Sequence, residues 1–189
     1  MRDVFGLPVV VAINAFPTDT PAELALVERR CQELGVNVAL SEVWAKGGEG
    51  GLALAEEVVR LCEQPSELCF AYELGGIRES VEAIARRVYH ADGADFTPAA
   101  AKQVAQLEEQ GFTNMPVCMA KTQYSFTDDA KRLGAPEHFR ITVRSVKVAA
   151  GAGFIVALTG NIMTMPGLPR HPAAESIDVT DDGRITGLF

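Results

Sequence analysis

The sequence predicts an α/β protein, with a parallel β-α-β segment in residues 1–92 and a smaller α/β domain in residues 93–189. Two patterns carry that expectation. An apolar, β-branched run at Pro8–Ile13, a capped amphipathic segment beginning at Pro21 and a second apolar run at Val36–Val43 follow one another directly. Strand, helix and strand in such close succession call for parallel strands joined by a right-handed crossover. After residue 92, strand-like runs return at 116–119, 139–149 and 154–158, with helical spacing confined to the stretches between them.

Each element has its own signal. Pro8–Ile13 is continuously apolar, as a strand buried on both faces would be. It runs into the turn-forming segment Asn14-Ala15-Phe16-Pro17-Thr18-Asp19. Thr20 is then an N-cap, Pro21 occupies the first helical position and Glu23 completes a capping box. Leu24, Val27, Cys31 and Leu34 recur at helical spacing, and Gly35 suits the position after the helix. Trp44 and the Gly-rich Lys46–Gly51 loop lead from the second strand into a helix over Leu52–Cys62, stopped by Pro65. Phe70–Leu74 reads as a short strand or an extended connection. Gly76–Tyr89 is helical, with Ile77, Val81, Ile84 and Val88 on one face.

His90–Thr97 reads as a polar loop and marks a soft boundary near residue 92. Thr97 and Pro98 start a helix that runs to about Gln110, closed by Gly111. Pro116–Met119 is a strand, and Ser125–Arg132 a short helix closed by Gly134 and Pro136. Phe139–Ala149 alternates as a half-exposed strand does, and Phe154–Leu158 is an apolar strand. Ile177–Val179 and Arg184–Ile185, around Asp182-Gly183, predict a hairpin with a type I′ turn.

Composition narrows the function classes. The chain is 48% hydrophobic and 22% charged, the balance of an ordinary globular protein. A net charge of −8 opposes binding to a nucleic-acid backbone or an anionic membrane surface. No apolar run is long enough to span a bilayer and the start lacks a cleavable leader, so a cytoplasmic location is expected. Cys31, Cys62, Cys69 and Cys118 show no CxxC spacing and are expected to be buried, reduced thiols. His90, His138 and His171 lie scattered among loops without metal-ligand spacing, so no metal site is expected. No nucleophile motif is present, and no catalytic residue is assigned.

Phe16-Pro17 and Trp44 follow the ends of two successive parallel strands, where α/β sheets form their ligand crevices. Two aromatics placed there can hold a flat heterocycle by stacking, or can pack in a core or interface. Lys46, Gly47 and Gly48 open a loop whose N–H groups suit an anion, or which serves as a flexible turn. It does not match GxxxxGK[ST], because the lysine precedes the glycines. Gly160–Pro169, with Met163 and Met165, suits a rigid turn against the first domain or another subunit. Lys121-Thr122-Gln123-Tyr124-Ser125 is a polar cluster after a strand whose residue types name no chemistry.

Four segments resemble formate–tetrahydrofolate ligases in order and spacing: Pro8–Thr20, Trp44–Gly51, Leu158–Pro169 and Asp182–Phe189. The resemblance implies the C-terminal portion of an enzyme with a P-loop-type sheet. That enzyme uses ATP to phosphorylate formate, and N10 of tetrahydrofolate then takes the formyl group. It implies tetrahydrofolate as a substrate and ATP with Mg in the full enzyme, neither held tightly by this chain. Phe16 and Trp44 then correspond to the pterin-stacking pair, and Pro17 and Leu40 to apolar wall positions. Lys46, Gly47 and Gly48 stay candidate phosphate or loop contacts. The family's P-loop lies upstream of the matched segments, so a fragment or split subunit is expected, inactive without an N-terminal P-loop domain and assembling as a homo-oligomer. A stand-alone folate-binding module and an assembly piece are the alternatives.

Overall fold

The computed structural model describes residues 1–160, 162 and 169–187. Strands β1 (Val10–Asn14) and β2 (Asn37–Ser41) pair in parallel, Val10 opposite Asn37 through to Asn14 opposite Ser41. Helix α1 (Pro21–Glu33) joins them, which makes the expected β-α-β unit. Its start is the capping box read from the sequence. The Glu23 N–H donates to Thr20 Oγ1, and the Thr20 N–H donates to the Glu23 carboxylate at 2.8 Å. Gly35 leaves the helix at φ 65°, a conformation that favours glycine. Helix α2 (Leu52–Cys62) also packs on β1 and β2.

β1 departs from its expected environment. It alternates half-buried and exposed residues instead of being buried throughout. The cause is the size of the sheet, since β2 is the one strand hydrogen-bonded to it among the described residues. The cysteines also depart: Cys31 is buried, but Cys62, Cys69 and Cys118, the last on an edge strand of the second sheet, are exposed, and all four are free thiols. Phe70–Leu74 is an irregular connection with bends at Ala71, Tyr72 and Leu74, and not a strand.

A second sheet of four strands holds most of the buried apolar residues. Its order is β3 (Gly93–Phe96), β5 (Arg140–Ala149), β6 (Phe154–Thr159), β4 (Val117–Ala120). β3 runs parallel to β5 and β4 parallel to β6, while β5 and β6 are antiparallel. Helix α3 (Ile77–Ala83, continued by a π-helical turn over Ile84–Val88) and helix α4 (Pro98–Glu109) close over it. Ile77 and Val81 from α3, Ala100 and Val104 from α4, and Val143, Val146, Ile155 and Ala157 from the strands form one core. α3 thus shares its core with the second sheet. The apolar phase of β5 changes from Ile141 and Val143 to Val146, and a β-bulge between Val143 and Ser145 makes that change.

Three expectations are corrected here. The polar loop expected at His90–Thr97 contains β3, an edge strand whose Ala94 and Phe96 pack against the core and whose polar groups are taken up by charged partners. Arg140 donates two hydrogen bonds of 2.8 Å to the Asp95 carboxylate across the pair, and the Ala94 N–H donates to Glu82 at 2.7 Å. Gly93 stands at its head at φ 147°, a conformation that strains other residues, and a Cβ there would also displace the ends of the Glu82 and Arg140 side chains, 2.7 Å away. The helix expected at Ser125–Arg132 is a series of turns. Thr127 Oγ1 bonds to the Asp129 N–H and carbonyl, and Asp129 Oδ1 accepts the Lys131 N–H at 2.9 Å. Such local side-chain bonds compete directly with helical ones. The C-terminal hairpin forms, pairing β7 (Asp178–Val179) with β8 (Ile185–Thr186), but without a type I′ turn. Thr180 and Arg184 still pair, leaving a three-residue loop in which Gly183, and not Asp182, takes positive φ.

Hydrogen bonds from Arg140 hold the Asp95 carboxyl below its ordinary pKa. Burial pushes the Glu82 carboxyl up, but the Ala94 N–H and the Arg86 and Arg140 guanidiniums outweigh it and leave it lowered. A lowered folded-state pKa stabilises the fold above the ordinary carboxylate range, and that contribution is lost as pH falls through the folded value. Asp95→Asn is therefore expected to lower the urea midpoint at neutral pH, with the gap to the parent closing as the pH falls below the ordinary carboxylate range. A gap independent of pH would remove this charge pair from the account of β3.

Candidate functional site

The parallel register ends β1 and β2 side by side, and the chain leaves both strands at one edge. Asn14 stands opposite Ser41, and the Ala15 N–H continues the ladder to the Ser41 carbonyl at 3.0 Å. Beyond β1 the backbone closes into a turn. The Phe16 N–H donates to Asp19 Oδ2 at 2.8 Å, and the Asp19 N–H returns to the Phe16 carbonyl at 3.0 Å. Phe16 and Pro17 are thereby presented at the surface.

Beyond β2, Trp44 sits in a single helical turn, Val43–Lys46, where an open loop was expected. The glycine segment Gly47–Gly51 follows as a 3₁₀ turn and folds back onto the strand end. The Glu42 N–H donates to the Gly50 carbonyl at 2.9 Å, and a Cβ on Gly50 would lie 2.5 Å from the Glu42 carbonyl. The glycines are therefore not equivalent. Gly50 is required by close backbone approach and Gly47 by its φ of 59°, whereas a Cβ on Gly48 would meet nothing within 4 Å.

The two aromatics meet. The rings of Phe16 and Trp44 lie 6.3 Å apart between centroids, with planes inclined at 48°. Phe16 is 46% exposed, Trp44 65% and Leu40, the penultimate residue of β2, 41%. Three large apolar side chains at one strand edge, this open to water, form a surface suited to a flat apolar ligand. The pair is closed on itself in this geometry. A ring inserted between two faces needs roughly 7–8 Å between them, twice a van der Waals contact, and near-parallel planes. Binding by sandwich thus requires the rings to part and turn, giving up a contact of about 0.5–1.5 kcal/mol for two new ones.

Lys46 extends from the same helical turn, but its ammonium is paired with Glu42 at 2.6 Å. The exposed Gly47 and Gly48 backbone lies beside it. Among the described residues no group of three His, Cys, Asp or Glu side chains is arranged to hold a metal ion. The Gly160–Pro169 loop falls mainly on residues outside those described.

One region that sequence reasoning noted without a chemistry acquires a shape. The Lys121–Tyr124 segment lines a cleft of about 780 Å³ together with Asp128, Thr142 and Arg144. Its position was legible as a polar run directly after a strand. The stacking of Tyr89 on Phe126 beside it, at 5.5 Å, carried no local signal.

A family model described as formate–tetrahydrofolate ligase matches residues 1–189. A formate–tetrahydrofolate ligase of Symbiobacterium thermophilum is 57% identical over 190 residues, an alignment that covers all of this chain and 34% of that protein. The chain therefore spans about a third of the length of this relative.

The steric demand at Gly50 is directly testable. Gly50→Ala is expected to destabilise the chain by about 1–3 kcal/mol, as overpacking does. It should also change the emission of Trp44, while Gly48→Ala leaves both stability and emission near the parent. Equal behaviour of the two variants in urea titrations would mean that the Glu42–Gly50 contact does not hold the turn.

Proposed function

The chain belongs to the formate–tetrahydrofolate ligase family, and on that premise we propose that it is the C-terminal, folate-facing portion of the ATP-dependent ligase. In the reaction, a formate oxygen attacks the γ-phosphorus of ATP and ADP leaves. N10 of tetrahydrofolate then attacks the formyl carbon, loses its proton and displaces inorganic phosphate. This chain supplies the pterin wall: Phe16 and Trp44 stack on the ring, with Pro17 and Leu40 as apolar neighbours. The observation that carries this is the meeting of two exposed aromatics at the shared carboxyl edge of parallel strands. Fixing one substrate's heterocycle against a second reactant is a large part of catalysis in any two-substrate transfer.

Lys46, Gly47 and Gly48 belong in this proposal as a loop that faces the phosphate side of the reaction. Binding of ATP with Mg, and activation of formate, fall to the upstream P-loop portion, so this chain alone carries no ligase activity. The distribution of burial supports a piece that is completed by more protein. Leu26, Val27, Leu52, Val58, Val59 and Phe70 are all exposed in the first half, whereas the core lies almost wholly beyond residue 76. We place the break between the two units in the connection between α2 and α3, upstream of residue 92, because α3 packs with the second sheet. Homo-oligomeric assembly and a cytoplasmic location complete the reading. Among the described residues, no helix is long and apolar enough to cross a membrane.

Trp44 is the single tryptophan and reports on the site directly. Titration with tetrahydrofolate is expected to quench its fluorescence saturably, with affinity reduced roughly tenfold in Phe16→Ala as one stacking face is lost. A folded chain with no response would show that the aromatic pair does not hold folate without the rest of the enzyme. In parallel, the isolated chain is expected to show no formate-dependent ATP hydrolysis, and detection of such turnover would refute the division of labour.

A further inference from the structure

The last register pair of the first sheet sets two polar side chains beside each other. Asn14 and Ser41 stand opposite at the carboxyl ends of β1 and β2. Paired residues share a face and neighbours along a strand alternate. Asn14 and Ser41 therefore project to the same side as Asn37, while Leu40 projects to the other. Helix α2 covers the Asn37 side, since the Asn37 amide donates to Glu57 of α2 at 2.6 Å. The glycine turn Gly47–Gly51 leads into that helix from the same strand end. The edge thus has an apolar side and a polar side.

Ser41 differs from the other buried polar residues described, which are Ser80, Thr122, Thr127 and Thr159. Ser80 Oγ donates to the Gly76 carbonyl at 2.7 Å, Thr127 Oγ1 to the Asp129 carbonyl at 3.0 Å and Thr159 Oγ1 to the Ala120 carbonyl at 3.1 Å. Thr122 Oγ1 accepts the Tyr124 N–H at 3.3 Å. Ser41 is only 7% exposed, yet its hydroxyl has no hydrogen-bond partner among the described residues. None of those residues seals an unpartnered side-chain oxygen away from solvent, so the Ser41 hydroxyl keeps an opening. The exposed Asn14 carboxamide opposite it is likewise unpaired among the described residues. Folded proteins seldom leave a buried hydroxyl without a partner, because the lost bond to water is not replaced.

We propose that Asn14 and Ser41 are specificity-determining residues of the heterocycle wall, taking the in-plane polar edge of the ring while Phe16 and Trp44 take its faces. This rests on the pterin reading of that wall and deepens it. Asn14 closely precedes Phe16 and Ser41 closely precedes Trp44, so the polar pair and the aromatic pair hang from the same strand ends. Stacking alone does not tell one flat ring from another, since such rings offer similar faces. The edge of a pterin carries an amino group, a ring N–H and a carbonyl. A carboxamide and a hydroxyl supply both donors and acceptors to meet them. A ring without those groups would leave the polar pair unsatisfied, which is how an otherwise apolar site discriminates.

The test is NMR titration of the isotopically labelled chain, following the indole N–H of Trp44, the single tryptophan. The two ligands are a tetrahydropterin and tetrahydroquinoxaline, a bicycle of similar size that lacks the amino and carbonyl groups. The parent is expected to bind the tetrahydropterin about tenfold more tightly. Asn14→Ala and Ser41→Ala should each weaken tetrahydropterin binding about fivefold and leave tetrahydroquinoxaline binding unchanged, so that the preference collapses. Ser41→Ala should not lower the melting temperature, because a hydroxyl without a partner contributes nothing to the fold. Phe16→Ala should weaken both ligands alike. Equal binding of the two rings by the parent, or a preference that survives both alanine variants, would overturn the proposal and leave the aromatic wall standing. No binding of either ring up to about 20 mM, or binding indifferent to Phe16→Ala, would overturn the wall and this proposal with it. Asn14 is exposed, so its variant keeps the test decisive even if Ser41→Ala fails to fold.

Discussion

The parallel pairing of β1 with β2 is the interaction on which the candidate site rests. Five registered pairs, from Val10–Asn37 to Asn14–Ser41, end both strands at one edge. Phe16 and Trp44, far apart in sequence, come into ring contact as a consequence. A slip by one residue would turn every β2 side chain to the opposite face, taking Leu40 with it. Two devices hold the geometry at the strand ends. One is the reciprocal bonding of Phe16 and Asp19, and the other is the Glu42–Gly50 closure behind Trp44. Both act on backbone, so the aromatic side chains stay exposed while their attachment points are fixed.

The two halves of the chain derive their stability differently. The second sheet is covered by α3 and α4, and between them lie the fully buried Ile77, Val81 and Val104 of the helices and Ile141, Val143 and Ile155 of the strands. Burial of a side chain of that size contributes about 1.5–3 kcal/mol relative to its exposure, so the second half dominates the apolar stabilisation. The first half has two strands and leaves much of its apolar surface wet. Its order depends on caps, turns and close glycine contacts more than on a core. That balance suits a ligand surface whose rings must part to admit a heterocycle, because few packed neighbours oppose their rotation.

What was legible in the sequence depended on whether the signal was local. The capping box at Thr20–Glu23, the Gly35 and Gly111 helix ends and the apolar run of β6 were all visible because propensity and pattern agreed with the final fold. β5 was read as a strand of simple alternation, and the register shift between Val143 and Ser145 that breaks the alternation was not foreseen. The failures of element type were of two kinds, distant partners at β3 and local side-chain competition at Ser125–Arg132. β3 reads as polar because its partners, Arg140 and Glu82, come from elsewhere in the chain. Ser125–Arg132 reads as a helix until the Thr127 and Asp129 side chains are seen to take the backbone bonds. At the site, Phe16 and Trp44 were identifiable from their positions after strands, but their tilt and contact were not. The Lys121 cluster had a position but no partners until β5 and β6 were placed around it.

The most direct test of the central claim is amide hydrogen exchange with and without tetrahydrofolate, since it reports on the shared strand edge without altering a residue. The account predicts added protection in residues 14–19 and 41–50, together and with the same ligand dependence, because one register positions both segments. Protection of one segment without the other, or protection confined to the second sheet, would contradict the claim that the β1–β2 edge is the folate surface.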